Sequence, residues 1–336
     1  MKNQTKIALF FGGKISQHLV LIKKAAKKMG VRLDLVSYNR VFFDTENLEV
    51  GIRGDLVNNE GRIQGSAHTE EQTRNIKNEG WLKISDYDVL FFRTTGKHWE
   101  EVDLIVKEVE KAEIGFRPYI IDPIVLSGKP SMACKAHQML ALKSAGIDVP
   151  KSTYGSLWFL FETMRADTSV RPYNWPIIIK GSGGDRGTRV FKADNVEEME
   201  KLVRDLRKTE TEEGKRYMLQ EFIPNDGDYR VLVLGKKVLG VMKRSSQSLE
   251  EFKNNYSAGG KVEVATLPQN ILDLAVKAAE VCGLAIAGVD VAFRDFDINK
   301  PVIWEVNKGP QFKGFMQATG INVPEEIVKY LVSLKK

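Results

Sequence analysis

The spacing of hydrophobic positions changes several times along this chain, and each change marks an element. Lys6–Phe11 (KIALFF) is a continuous apolar run that predicts a strand, followed by Gly12 and Gly13. Ile15, Leu19, Ile22, Ala26 and Met29 then recur at spacings of four and three, the stripe of an amphipathic helix, and Gly30 supplies its stop. Val31, Leu33 and Leu35 alternate with polar neighbours as a second strand. This β-α-β opening predicts an open α/β sheet. It continues through a strand over 88–92 ending in Arg93, a helix over 99–112 that buries Val102, Ile105, Val106 and Val109, and a short strand at Tyr119–Ile121. Residues 49–64 are turn-rich and read as a hairpin or surface excursion. Asp122-Pro123 marks a boundary, giving domains of 1–124 and 125–336.

The second domain begins with a helix over 131–145, with Ser131 as its N-cap and Gly146 as its stop. An extended segment follows. Residues 175–180 (WPIIIK) form a strand ending in Lys180, which runs into GSGGDRGTRV. After a helix over 196–206 come three strand-like runs, MLQEFI, YRVLVLG and KVLGVMKR, the first two separated by PNDGD. A helix over 271–284 leads to AGVDVAF and PVIWEVN, two β-branched runs around a polar turn that predict an antiparallel pair. A last amphipathic helix spans 324–334, with Pro324 in its first turn.

Composition adds limits. The 336 residues suffice for two or three packed domains, and 43% hydrophobic with 28% charged residues is ordinary for a globular protein. No apolar run reaches the ~18–20 residues that span a bilayer, so no membrane role is expected. Two cysteines, Cys134 and Cys282, make neither a disulfide framework nor a zinc site, and a cytoplasmic location is expected. The net charge of +6 is spread along the chain; it suits phosphate-bearing ligands and argues little for nucleic acid.

Candidate chemistry sits on the predicted strands. Glu305 and Asn307 are two apart and share a face, and pairing around the turn brings Asp290 beside them. Three oxygen donors without thiol or imidazole suit a hard cation such as Mg²⁺; the same residues also suit an ordinary half-exposed sheet surface. The glycines of 181–187, with Lys180 before them, form a loop whose backbone N–H groups can approach a phosphate, or a plain hairpin. A strand ending in Gln220-Glu221 can offer its backbone to an adenine edge, with Asp228 within reach of a ribose. Arg230 and Arg244 lie on consecutive strands and suit a transferring phosphoryl group, or are paired surface charges. Gly12-Gly13-Lys14 matches neither a dinucleotide fingerprint nor a P-loop.

Seven segments in a fixed order carry a resemblance: ACKAHQMLALKSAGIDVPKS, IIIKGSGGDRGTRVF, MLQEFIPNDGDYRVLVLG, VMKR, FKNNYSAGGK, AGVDVAF and WEVNKGP. Over residues 129–321 the chain resembles the ATP-grasp superfamily, within it the RimK-like carboxylate–amine ligases. The resemblance implies an α/β (α+β) ATP-grasp fold behind an N-terminal open α/β pre-ATP-grasp domain. It implies a glycine-rich lid subdomain over about 125–215 and a metal-binding one over about 216–336. Lys135 and Lys180 would contact nucleotide phosphates, with Gly183, Gly184 and Gly187 in the closing loop. Glu221 and Phe222 would meet adenine, Asp228 the ribose, and Asn254 and Asn255 the nucleotide. Arg230 and Arg244 would be catalytic. Asp290, Glu305 and Asn307 would hold two Mg²⁺ ions, with Mn²⁺ as a substitute. The implied activity is ATP-dependent amide formation between a carboxylate acceptor and an amine donor, through an acylphosphate, by an enzyme that is often a homo-oligomer. A phosphotransferase, or a nucleotide-binding protein without catalysis, would use the same scaffold. The sequence departs from the family after EVN, where KGPQFKGF adds Lys308 and Lys313 and leaves the substrate open.

Overall fold

The computed structural model describes residues 4–46, 48–53, 81–127, 134–165, 173–182, 189–212, 214, 216–245 and 261–335. Its contacts divide the chain into two units, Met1–Gly128 with Val323–Lys336, and Lys129–Asn322.

In the first unit, β1 (Lys6–Phe11), β2 (Arg32–Ser37), β6 (Val89–Phe92) and β7 (Tyr119–Ile121) form a parallel sheet in the order β2-β1-β6-β7. Ile7, Ala8, Leu9 and Phe10 are wholly buried, as expected of strands covered on both faces. The helices α1 (Gln17–Lys28) and α2 (Trp99–Lys111) lie where the periodicity predicts them. Residues 49–53 are not a surface excursion. They form β4 (Glu49–Arg53), the middle strand between β3 (Val41–Asp44) and β5 (Trp81–Lys83) of a small antiparallel sheet. Its pairing with β3 is a local hairpin, while its pairing with β5 joins segments distant in sequence and is not shown by local pattern; residues 54–64 lie outside the described residues. The last helix, α8 (Val323–Ser333), buries Ile327, Val328 and Leu331 and packs against α1, with Lys28 pairing to Glu325 at 2.8 Å. Residues 323–336 thus join the first unit in space, although they follow the second in sequence.

The second unit holds two antiparallel sheets. The first, in the order β10-β9-β11-β8, comprises β8 (Ser152–Gly155), β9 (Ile177–Gly181), β10 (Val190–Ala193) and β11 (Tyr217–Glu221). Alternation sends Ile177, Ile179, Tyr217 and Leu219 into a core with Leu157, Leu160, Met199 and Val203, from α4 (Leu157–Arg165) and α5 (Val196–Glu212). The helix α4 replaces part of the expected extended segment. Its buried Leu157, Leu160, Phe161 and Met164 have helical spacing, obscured in the sequence by the equally apolar Trp158 and Phe159 on its exposed side. The helix α5 runs six residues beyond the expected end at 206; its polar last turn carries Glu210, whose carboxylate accepts the Leu157 N–H at 2.9 Å and caps α4. The helix α3 (Lys135–Ser144) follows Cys134, and the expected N-cap Ser131 lies outside the described residues.

The second sheet runs β14-β13-β12-β15-β16, from β12 (Asp228–Leu234), β13 (Lys237–Ser245), β14 (Lys261–Ala265), β15 (Ile286–Phe293) and β16 (Pro301–Lys308). On one face Val231, Val233, Val241, Ala287, Val289, Val291 and Val306 are buried beneath α6 (Gln269–Val281), which contributes Ile271, Ala275, Ala278 and Ala279. The other face is charged at one end. At its β13–β14 end it is covered by α7 (Lys313–Thr319), whose Phe315 would touch a Cβ at Gly240.

Candidate active site

The strand register assembles the charged face. Asp228 lies opposite Arg244, Arg230 opposite Asp290, Asp290 opposite Glu305, and Gly288 opposite Asn307. Directly opposed residues project to the same side of a sheet, so the six polar side chains form one surface across four strands. A ladder irregularity between Asp290 and Val291 sits at this surface, a common device for re-aiming side chains near a site.

The contacts are close. Arg230 grips Asp290 with both prongs of its fork, Nε to Oδ1 and Nη2 to Oδ2, each at 2.7 Å. Arg244 reaches Asp290 Oδ2 at 3.0 Å and donates through Nε to Asp228 at 3.1 Å. Asn307 Nδ2 donates to Asp290 Oδ2 at 3.1 Å. Two glycines permit this. A Cβ on Gly288 would stand 3.4 Å from the Arg230 side chain and 2.9 Å from Pro310, and one on Gly227 (φ +136°) would collide with the Arg244 carbonyl at 2.3 Å. Burial acts to raise the Asp290 pKa, but Arg230 and Arg244 outweigh it and hold the carboxyl down at about 2. Asp290 is therefore a firm anion at neutral pH.

The opposite wall is lysine. Lys135 begins α3 and pairs with Glu305, while its N–H donates to the Ser182 carbonyl at 3.1 Å. One turn later Gln138 straddles β16, its Nε2 2.9 Å from the Val306 carbonyl and its Oε1 accepting the Val306 N–H at 3.4 Å. That grip fixes the helix start over Glu305. Lys180, half-buried at the end of β9, is pulled down to about 8 by burial and by the Lys135 ammonium, against the attraction of Glu305, Asp290 and Asp228. Burial opposes ionisation of Glu305, but Lys135 and Lys180 lower its pKa overall. The N–H of Gly181 donates to the Arg189 carbonyl at 2.8 Å, extending the pairing of β9 with β10.

The structure therefore brings together Lys135, Lys180, Arg230, Arg244, Asp290, Glu305 and Asn307. Asp228, read from the sequence as a ribose contact, is 1% exposed with Arg244 drawn onto its carboxylate; in this arrangement it orients that guanidinium. Glu221 accepts the Lys151 N–H at 2.8 Å and Arg294 Nη2 at 2.7 Å, and the Phe222 ring lies 5.4 Å from Lys192 Nζ. Gly183, Gly184, Gly187, Asn254 and Asn255 lie outside the described residues. Gln138, Gly288 and Arg294 are the participants missed in the sequence. A glycine inside a β-branched run was a usable sign of close approach; a helical glutamine and a turn arginine carried none.

Among the described residues no three His, Cys, Asp or Glu side chains converge as a metal cluster. Asp290, Glu305 and the Asn307 amide nonetheless present hard oxygen donors on one surface, a set that fits Mg²⁺. Among the described residues no helix is long and apolar enough to cross a membrane, and both cysteines are free.

Comparison with known proteins agrees. Residues 130–331, more than half of the chain, match the RimK-like ATP-grasp domain. A probable alpha-L-glutamate ligase 2 of Hahella chejuensis is 32% identical over 201 residues, 59% of this chain and 61% of that protein. One from Cellvibrio japonicus is 29% identical, over 63% of this chain and 67% of that protein. Among solved structures, the ATP-grasp ligase PsnB complexed with minimal precursor aligns over 99% of both chains at TM-score 0.65 and 15% identity. A RimK domain protein from Sphaerobacter thermophilus aligns over 97% of this chain and 99% of its own at TM-score 0.64 and 15% identity. Another PsnB structure contains Mg and ADP. On this evidence of sequence, fold and site, the chain belongs to the RimK-like ATP-grasp family.

Proposed function

We propose that the protein is an ATP- and Mg²⁺-dependent ligase that joins a carboxylate to an amine through an acylphosphate, releasing ADP and phosphate. The observation that carries this reading is the single charged face on which two arginines and two lysines meet three carboxylates and an amide. A phosphoryl group and a carboxylate repel; two unit charges 4 Å apart cost about 4 kcal/mol at an effective dielectric of 20. Arg230 and Arg244, fixed by Asp290 and Asp228, are donors already aimed at the place where that charge gathers. Lys135 and Lys180 hold the nucleotide phosphates, the glycine loop covers them, and the end of β11 at Glu221-Phe222 meets the adenine. Asp290, Glu305 and Asn307 would hold Mg²⁺, which supplies charge neutralisation between phosphates.

The γ-phosphoryl passes to the acceptor carboxylate, the amine attacks the resulting acylphosphate, and phosphate leaves. No nucleophile from the chain is needed, which accounts for a site built of anchors and donors. Relatives named glutamate ligases support an amino acid as one substrate. Hydroxylamine intercepts acylphosphates, so protein with Mg-ATP and pooled carboxylic acids in hydroxylamine should form a hydroxamate and ADP in equal amounts. ADP formation without hydroxamate, with the phosphoryl group recovered on an alcohol, would replace the ligase by a phosphotransferase.

A further inference from the structure

We propose that Arg294 is a positioning residue for the nucleobase, acting through Glu221; this rests on the reading above that Glu221-Phe222 meets adenine. Arg294 follows directly on β15, four residues after Asp290 on the same strand run. Its guanidinium spans to the other sheet of the unit. Nε donates to Asp148 Oδ2 at 2.8 Å, and Nη2 donates to Glu221 Oε1 at 2.7 Å and to the Val149 carbonyl at 3.3 Å. The same Glu221 oxygen accepts the Lys151 N–H at 2.8 Å, while the Glu221 N–H donates to the Lys151 carbonyl at 3.0 Å. The Asp148 carbonyl in turn accepts the Ile303 N–H of β16 at 3.0 Å.

One cation thus closes a ring from β15 through the end of β11 to the 148–151 segment and back to β16. With its side chain tied down and its N–H committed, Glu221 leaves the backbone beyond it to face a base. The ring has a fixed pitch because a planar fork, unlike an ammonium, holds two acceptors at set angles. The group that sets the height of the base is anchored to the strand that carries Asp290. The base contact is therefore tied to the same strand run that carries Asp290, and the hydrogen bonds of Arg294 go to Asp148, Val149 and Glu221, outside the charged face. Removing it frees the Glu221 carboxylate and loosens the base, while the phosphoryl-transfer donors stay in place.

The test is ATP affinity and steady-state kinetics on the full chain, with melting temperature measured alongside. Arg294→Ala should weaken ATP binding, and raise its KM, about tenfold, with kcat at saturating ATP within about twofold of the unaltered protein. Arg294→Lys, which keeps charge without the fork, should recover only part of that. Inorganic triphosphate, which lacks a base, should bind both variants as it binds the unaltered protein. Glu221→Ala combined with Arg294→Ala should bind ATP no worse than the weaker single variant, because the two act as one unit. Fully additive losses, an equal loss for triphosphate, or unchanged ATP affinity in Arg294→Ala would overturn the proposal while leaving the nucleotide site standing. An unaltered protein that binds triphosphate but gains nothing from the base would overturn the reading that Glu221-Phe222 meets adenine, and this proposal with it.

Discussion

The two faces of the five-stranded sheet share a backbone and differ in every other respect. The face toward α6 is built from Val231, Val233, Val289, Val291 and Val306, each at most 1% exposed, and its stability comes from apolar area removed from water. The opposite face offsets charge against charge: Asp228, Asp290 and Glu305 against Arg230, Arg244, Lys135 and Lys180. Buried ion pairs of this kind add little net stability, because desolvation consumes most of the attraction. What they provide is orientation. The valine face keeps the strands in register, and the register places each charge.

Substitutions on the two faces should therefore separate folding from function. The largest effect is expected for Asp290→Asn. It leaves Arg230 and Arg244 facing a neutral amide, so it should cost about 3–5 kcal/mol in denaturant unfolding and abolish turnover in the fraction that remains folded. Retained activity would remove Asp290 from the metal and arginine assignment. Arg230→Lys keeps the charge and loses the fork; kcat should fall about 10–100-fold with stability changed by less than that of Asp290→Asn. Val289→Ala, on the apolar face, should lower unfolding free energy by about 1–3 kcal/mol while activity per folded molecule stays unchanged. If activity falls in proportion to kcat in Arg230→Lys, the division between faces fails.

The smallest effect is a pH dependence. Lys180 is held at about 8 in the free protein, so it is charged at pH 7 and largely neutral at pH 9.5. A phosphate ligand favours the charged form, so ATP affinity should fall severalfold between pH 7 and 9.5, with proton uptake on binding in that window. The linked stability has the opposite sign. A lysine depressed below its unfolded value costs the folded state most below pH 8, and that cost disappears as pH rises toward the unfolded value. Lys180→Arg should bind ATP with a flat profile across this range, as measured by titration calorimetry in buffers of different ionisation enthalpy.

The same division explains how much could be read in advance. The valine face and its strands were legible because β-branched alternation is a local signal, as were Glu305 and Asn307, two apart on one strand. Asp290 could be placed beside them because only a short turn separates their strands. The pairing of Asp228 with Arg244 and of Arg230 with Asp290 depends on register across 16 and 60 residues, which no local period reports. The Lys135–Glu305 contact spans 170 residues, and the sequence suggested a role for Lys135 only through family resemblance. The pairing of β4 with β5 and the packing of the correctly placed helix α8 on α1 were illegible for the same reason: those partners are remote in the chain.

The central claim, that the charged face transfers the γ-phosphoryl of ATP to a carboxylate for capture by an amine, is tested most directly by assaying ADP and free phosphate in parallel. Mg-ATP, pooled carboxylic acids and pooled amino acids would be supplied together and separately. The account predicts equal release of ADP and phosphate that requires both acid and amine and is lost in Asp290→Asn. ADP released without free phosphate, or turnover that survives Asp290→Asn, would contradict it.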